Sequence, residues 1–486
     1  MTGRHRGVRP RDTRHRRTRP ARIPATLAVT AGNVALLFIA TANGAVAARS
    51  LGPTLRGEFI ASQSWAATTG VGLTFGITQA IVIDRAEASR LRAPLLAHTV
   101  LTLGGGLVLF GLFVALGLQP WLTTAGVLGA ACMTAGTVAT SHATGMAQRQ
   151  GRMSGAFQAV RIVPALAGSA ATVPLVLGGR HDPNLWLVVL GATSAAIALG
   201  QLATCGFGPA PAASPWTRVR RLLPPRGFAA TARRAYVSVI GAQVIYRLDV
   251  LVIAVCLASR EVAFYGVATA VAGGCAAVAQ STGMVMFSRL RGASPESSRR
   301  LVCQGTALSL TVAAAIAVPL ALLAPLCIRA IYGAEFAPAV GATRVLLLAS
   351  IPLAADYLLI HALLGLGAPR AVTKVQAPVA ALTILLLAAA VRRGDLVGVA
   401  AVSAVTYTFS ALLLFSAVLR LTTGGTARPV TGTSPGAVPS AGVPSAVDGA
   451  PRIPRQRQRD VDSPRPVADR SIRTRPITTI LDQEDT

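Results

Sequence analysis

The chain has 486 residues, 52% of them hydrophobic and only 13% charged, about half the charged share of a soluble domain. Its net charge is +28 and almost all arginine, Lys374 being the only lysine. The arginines lie in tails and short connectors rather than on a stretch able to fold as a soluble patch. That argues against nucleic acid and for anionic lipid headgroups as what they meet.

In chain order, residues 1–22, "MTGRHRGVRPRDTRHRRTRPAR", are too polar and proline-broken to fold and read as a disordered basic cytoplasmic arm. The apolar stretch at 23–48 is too long for a signal-peptide core and leads straight into further apolar runs, so it is a first membrane helix. In all, twelve spans are expected, centred near residues 36, 70, 106, 133, 165, 195, 246, 275, 314, 354, 381 and 408. The longest connector, 207–233, contains "PAPAASPWTRVRRLLPPRG" and separates a half at 23–206 from a half at 234–420. Residues 421–486 form a Pro/Gly/Ser/Thr-rich tail that reads as disordered. The expected fold is an all-α polytopic membrane protein, twelve transmembrane helices in two six-helix halves.

Arginine placement sets the orientation. With the N-terminus in the cytoplasm, inner connectors hold fourteen arginines, among them Arg85, Arg90, Arg92, Arg218, Arg220 and Arg221. Outer connectors hold seven: Arg49, Arg56, Arg180, Arg260, Arg329, Arg392 and Arg393. Both chain ends are therefore expected inside the cell, in a multi-pass protein of the cell membrane. The six cysteines all fall in or beside apolar runs and form no CxxC pair, which suits small packing residues and not a metal or redox centre.

An internal repeat supports the division. "VAARSLGPTLRGEFIASQ" joins the first two spans and "VIAVCLASREVAFYGVAT" the seventh and eighth, so that Leu51 aligns with Leu257 and Phe59 with Tyr265. Both copies run in the same sense, as in transporters built from parallel repeats. "ARSLGPTLRGEF" resembles the LGP-x-x-x-G-x-[FY] turn of bacterial polysaccharide flippases, members of the multidrug/oligosaccharidyl-lipid/polysaccharide (MOP) exporter superfamily. "YRLDVLVIAVCLASREVAFYGVA" resembles their seventh-to-eighth span junction, and "APLCIRAIYGAEFAPAVGATRVLLLASIPLAADYLLIHALLGLGAPR" their ninth-to-tenth region. The resemblance covers about residues 25–420. The common family form places Asp before Arg in the seventh span, whereas here Arg247 precedes Asp249.

Deep polar residues are few. With a seventh span beginning near Ala235, Arg247 lies ~18 Å in, near the midplane, where an ionised side chain costs ~3 kcal/mol or more. Two positions apart on a helix means ~200° of rotation, so Arg247 and Asp249 occupy different faces; Gln243 shares the face of Arg247. One face should look into a central cavity and the other at a neighbouring helix. Arg161 lies about two turns into the fifth span with Gln158 three residues before it. It suits an anionic substrate, an interhelical ion pair or a headgroup contact. Arg247, Arg161, Gln243 and Gln158 are the candidates for substrate binding, Asp249 and Asp356 for ion coupling. His98, His142 and His361 read as packing residues. Asn33, Asn43, Gln63, Gln79 and Gln280 read as interhelical hydrogen-bonders or cavity lining.

No nucleotide-binding, zinc-protease or acidic metal signature occurs, and no loop is long enough for a catalytic domain. The chain is expected not to be an enzyme and to need no metal or cofactor. The resemblance implies a flippase moving a polyprenyl-pyrophosphate-linked oligosaccharide by rocking of the two halves, with arginines attracting the pyrophosphate and the lipid tail left in the bilayer. Expected partners are the bilayer, anionic lipids at the basic arm, and a polysaccharide polymerase or glycosyltransferases. A multidrug/cation antiporter of the same superfamily should instead show an acid-lined cavity, and a non-transporting scaffold would need no midplane charge.

Overall fold

The computed structural model describes residues 25–83, 88–149, 155–204, 226–290 and 294–423. The basic arm, the tail and most of the long connector lie outside those residues. Among them every regular element is a helix: α1 (Ala25–Leu73), α2 (Ile77–Ile83), α3 (Ala88–Ala115), α4 (Thr124–Arg149), α5 (Gly155–Ala171), α6 (Val173–Leu177), α7 (Pro183–Thr204), α8 (Arg226–Cys256), α9 (Ser259–Leu290), α10 (Pro295–Tyr332), α11 (Ala339–Gly365), α12 (Pro369–Val391) and α13 (Leu396–Thr423), with a 3₁₀ turn at Ala334–Phe336.

These helices make twelve membrane crossings. Eight stretches among the described residues are long and apolar enough to span. The one in α1, 43 residues long, holds two crossings, which makes nine. α4, α8 and α9 have 26, 31 and 32 residues and complete the twelve. They are less apolar because lipid is not their main solvent: neighbouring helices or the central cavity cover much of their surface. The outer shell is the reverse, with Phe38, Leu101, Val108, Leu177, Leu322 and Leu385 all at least two-thirds exposed, as a bilayer-facing surface requires.

The break in α1 comes from its sequence. Gly52 has φ +67° and ψ 177°, a conformation L side chains avoid, and Pro53 lacks the N–H that would continue the ladder yet suits the first turn of a new helix. The chain then doubles back. A side chain on Gly44 would meet Arg56 Nη2 at 3.6 Å, whereas a straight helix would separate those positions by ~18 Å. A second break, Thr74–Gly76, separates α1 from α2, and Thr74 Oγ1 donates to the Val71 carbonyl there (2.7 Å).

Within the first six spans, α4 and α7 pack backbone to backbone. A Cβ on Gly129 would stand 2.6 Å from the Val188 nitrogen and one on Gly136 3.1 Å from Ala195 Cα, the close approach that small residues permit between helices in lipid. In the last six spans α11 is central, and Phe264, Tyr265, Ile328, Phe336, Leu346 and Val399 form one buried cluster around it.

The near side of the membrane is defined here as the one where α1 begins and α13 ends. The two halves meet on both sides. On the far side, Arg49 donates to the Ala330 and Ile331 carbonyls at the end of α10, and a Cβ on Gly57 would collide with the Ser259 carbonyl. On the near side, Phe75 packs on Tyr236 with ring centroids 5.5 Å apart.

α8 begins at Arg226, so the last eight residues of the connector expected at 207–233 are helical. Arg247 is then 21 residues, ~32 Å, from the near end, and a depth counted from that end fails. Counted from Cys256 it is nine residues, ~14 Å, in, about half of a ~30 Å hydrocarbon core.

Candidate substrate cavity

A cavity of about 750 Å³ lies between the halves, walled by α1, α4, α5 and α7 on one side and by α8, α9, α11 and α13 on the other. Three arginines line it at three depths: Arg161, Arg247 and Arg56. Arg161 is six residues into α5, ~9 Å from the near end. Its Nη1 donates to Asn33 Oδ1 (2.8 Å) and at longer range to Gln158 Oε1 (3.5 Å). Its guanidinium stands 5.4 Å from the Phe157 ring centre. Among the described residues, the groups that hold it are neutral. Arg247, in the middle, is exposed although its helix is interior; the cavity is what it is exposed to.

Arg56 is at the far end. It follows the Gly52 break by four residues and its side chain is 2% exposed. Tyr332 and Phe336, both from the other half, cover it, with ring centres 4.9 and 5.0 Å from the guanidinium carbon. Such cation–π contacts give ~0.5–2 kcal/mol each, against the few kcal/mol that buried, unpaired donors cost.

The acids are treated differently. Asp249, 5% exposed, is the only acid lining the cavity among the described residues. Its Oδ2 accepts from the Tyr265 hydroxyl (2.6 Å) and the Ser403 hydroxyl (3.3 Å), and its Oδ1 from the Val250 N–H (2.8 Å). None of its hydrogen bonds goes to Arg247. α8 is unbroken between them, and ~200° of rotation points the two side chains apart. Asp356 is wholly buried, with Oδ2 accepting from Tyr246 (2.5 Å) and Oδ1 from Ser410 (2.5 Å). Tyr246 packs on Tyr357 and Tyr407, at 5.1 and 6.0 Å between centroids, and those three rings form much of the wall on that side.

No protein-family model and no curated protein matches the sequence. Solved structures do. The chain is similar to the lipid II flippase MurJ in an inward closed conformation, with a TM-score of 0.60 at 11% identity over 81% of this chain and 87% of that one. It is similar to an inward-facing multidrug resistance MATE family transporter of the MOP superfamily, with a TM-score of 0.55 at 14% identity over 83% and 96%. A MOP superfamily transporter from Pyrococcus furiosus, described by the reverse polarity of its binding pocket, gives 0.54 at 13% identity over 82% and 95%. The chain has the fold of the MOP transporters.

Within that fold, the residues singled out from sequence separate into two groups. Arg161, Arg247 and Asp249 line the cavity; Gln158, Gln243 and Asp356 do not. Gln158 turns its amide toward α1, where a Cβ on Gly32 would strike it. Gln243 is a full turn of α8 nearer the near side than Arg247 and falls below the lining. Asp356 sits behind the tyrosines. Asn33, Asn43 and Gln63 line the cavity and Gln79 does not; the side chain of Gln280 lies outside the described residues. His98 and His142 share a ring–ring hydrogen bond (3.0 Å), His361 donates to the Tyr357 carbonyl (2.8 Å), and none of the three lines the cavity.

Two features escaped sequence reading. Arg56 is placed by its sequence in an outer connector, yet it is buried inside a helix pair at the cavity's end. The tyrosine wall is the other. All six tyrosines follow residue 235, a skew visible in the sequence, but only the packing shows four of them gathered around two acids.

Proposed function

We propose that the protein is a flippase that carries a polyprenyl-pyrophosphate-linked oligosaccharide from the cytoplasmic to the outer leaflet of the cell membrane, for cell-surface polysaccharide. The observation that carries this reading is the charge of the cavity: three arginines against one aspartate, and that aspartate already accepting three hydrogen bonds. A passage of this polarity attracts an anion and repels a cationic drug. A guanidinium also matches the phosphate oxygens with a two-pronged fork. The MATE transporters of the same fold favour a drug/cation antiporter, but that reading needs an acid-lined cavity.

In this reading Arg247 binds the pyrophosphate at mid-depth and Arg161 meets it nearer the cytoplasm, while the oligosaccharide occupies the cavity and the lipid tail stays in the bilayer. Asp249 and Asp356 are the groups available to couple a proton or sodium gradient. Both chain ends are cytoplasmic, the basic arm lies on anionic lipid, and a polymerase or glycosyltransferase works beside the protein.

Deletion of the gene should cause lipid-linked oligosaccharide to accumulate on the cytoplasmic leaflet, with restoration by the wild-type gene. Unchanged precursor levels together with altered resistance to cationic drugs would favour the antiporter instead. Reporter fusions after Arg226 and after Arg420 should both give cytoplasmic signals; a periplasmic signal from either overturns the orientation.

A further inference from the structure

Arg56 differs from the other two lining arginines in being buried with two guanidinium nitrogens that no group among the described residues accepts. Its Nε and Nη1 are buried and have no hydrogen-bond partner, and the hydroxyl of Tyr332, whose ring covers the guanidinium, is also buried without one. The aromatic faces of Tyr332 and Phe336 hold the plane of the guanidinium but accept none of its N–H groups in a hydrogen bond. Its third nitrogen, Nη2, lies beside Gly44, which like Arg56 lines the cavity. The internal repeat supplies an independent comparison. The alignment that pairs Leu51 with Leu257 pairs Arg56 with Val262, which is 1% exposed. The aligned position, buried in both copies, thus holds an apolar residue in one and a cation with unpartnered nitrogens in the other. An arginine is a poor choice for packing there, since it can only donate and must find acceptors for five N–H groups.

We propose that Arg56 is the far-end anion receptor of the cavity. It takes the phosphate oxygens of the pyrophosphate after Arg161 and Arg247, and its N–H groups are left unpaired because the arriving anion supplies their acceptors. This rests on the reading of the substrate as a polyprenyl pyrophosphate. The three arginines then form a sequence of positions through the membrane, from the near third to the far end. The last position is framed by rings of the opposite half, so anion binding there competes with the contact that joins the halves.

The test uses the full-length protein in phosphatidylcholine nanodiscs, followed by thermal melting and by binding of three probes: a polyprenyl pyrophosphate, the neutral polyprenol and inorganic pyrophosphate. The polyprenyl pyrophosphate should raise the wild-type melting temperature and the polyprenol should not. Arg56→Met, apolar and of similar length, should melt at or above the wild type without a probe and bind polyprenyl pyrophosphate about tenfold more weakly, the loss of one charge-assisted contact. Arg56→Lys, which keeps the cation over the rings but not the fork, should also bind more weakly. Inorganic pyrophosphate should bind less tightly than the lipid and show the same dependence on Arg56.

The assignment is overturned if Arg56→Met melts well below the wild type while binding the probe equally, for then Arg56 is a structural pin. Should Arg56→Met not fold, unchanged binding by Arg56→Lys overturns it as well. Tighter binding of inorganic pyrophosphate than of the lipid would mark a free-phosphate site and also overturns it. Binding lost in Arg247→Ala but kept in both Arg56 variants refutes the Arg56 assignment alone. Absence of any wild-type binding to the polyprenyl pyrophosphate refutes the substrate reading on which it stands.

Discussion

Arg161 and Asp249 face one cavity from opposite halves and are held in contrasting ways. Around Arg161 are an asparagine, a glutamine and a phenylalanine; around Asp249 are two hydroxyls and a backbone N–H. The contrast extends to each wall. Among the described residues, the first six spans contribute Arg161 and Arg56 to the lining and no acid, whereas the last six contribute Arg247 together with Asp249, backed by buried Asp356 and four tyrosines. The reason is chemical. A carboxylate only accepts, so hydroxyl donors satisfy it without a countercharge, and a tyrosine-rich wall can hold acids quietly inside a membrane. A guanidinium has five N–H groups to satisfy, and on the first wall Arg161 finds Asn33 and Gln158 while Nε and Nη1 of Arg56 find no acceptor among the described residues. The acids are therefore closed systems and the arginines open ones, which leaves the cavity positive.

The most direct way to break this contrast is to remove the central cation. Arg247→Ala should insert normally and lower transport about a hundredfold, equivalent to two charge-assisted hydrogen bonds, and Arg247→Lys should lose most of it because an ammonium cannot form the fork. Wild-type transport by a normally expressed Arg247→Ala would make the charge structural and remove the distinction. Next in size is Arg161→Gln. With Asn33 and Gln158 left to bond each other, about a tenfold loss is expected, read from the same precursor accumulation.

The closed side should respond less. Asp249→Asn keeps the shape of the site and should lower transport only a few-fold, about 1 kcal/mol, with a deficit that changes with pH or sodium if the carboxylate couples an ion. A deficit larger than that of Arg247→Ala would reverse the comparison. Smallest of all is removal of residues 1–20 or 430–486, for which unchanged transport is expected from their polar, proline-rich sequences. Complete loss in a correctly inserted truncation would assign a specific role to a tail.

Span number and order were legible because lipid leaves the backbone only one economical solution, long helices whose apolar residues face outward. Even α4, α8 and α9 showed themselves by length and by their place between better-marked neighbours. The LGP turn was legible for the same local reason, Gly52 and Pro53 acting within a few residues. Arg247 could be suspected from its depth alone, although the correct depth comes from the end at Cys256 and not from the connector. Arg56 could not. Its sequence neighbourhood reads as a connector, and the rings that enclose it are 276 and 280 positions away in the chain.

What the linear order of residues carried was what depends on neighbours within a turn or two of helix: the crossings, the turn at Gly52 and Pro53, and the opposed faces of Arg247 and Asp249. What depended on the folded bundle was which polar groups share a space. Lipid penalises exposed charge the same way wherever a residue stands in the chain, so the cost of a buried group is readable locally. The group that relieves it comes from whichever helix packs alongside, as Tyr265 and Ser403 do for Asp249 and Tyr246 and Ser410 for Asp356. At Arg56 the packing brings two aromatic rings and, among the described residues, no acceptor for Nε or Nη1. Short-range rules specify the helices, and the choice of partner is made between helices distant in sequence.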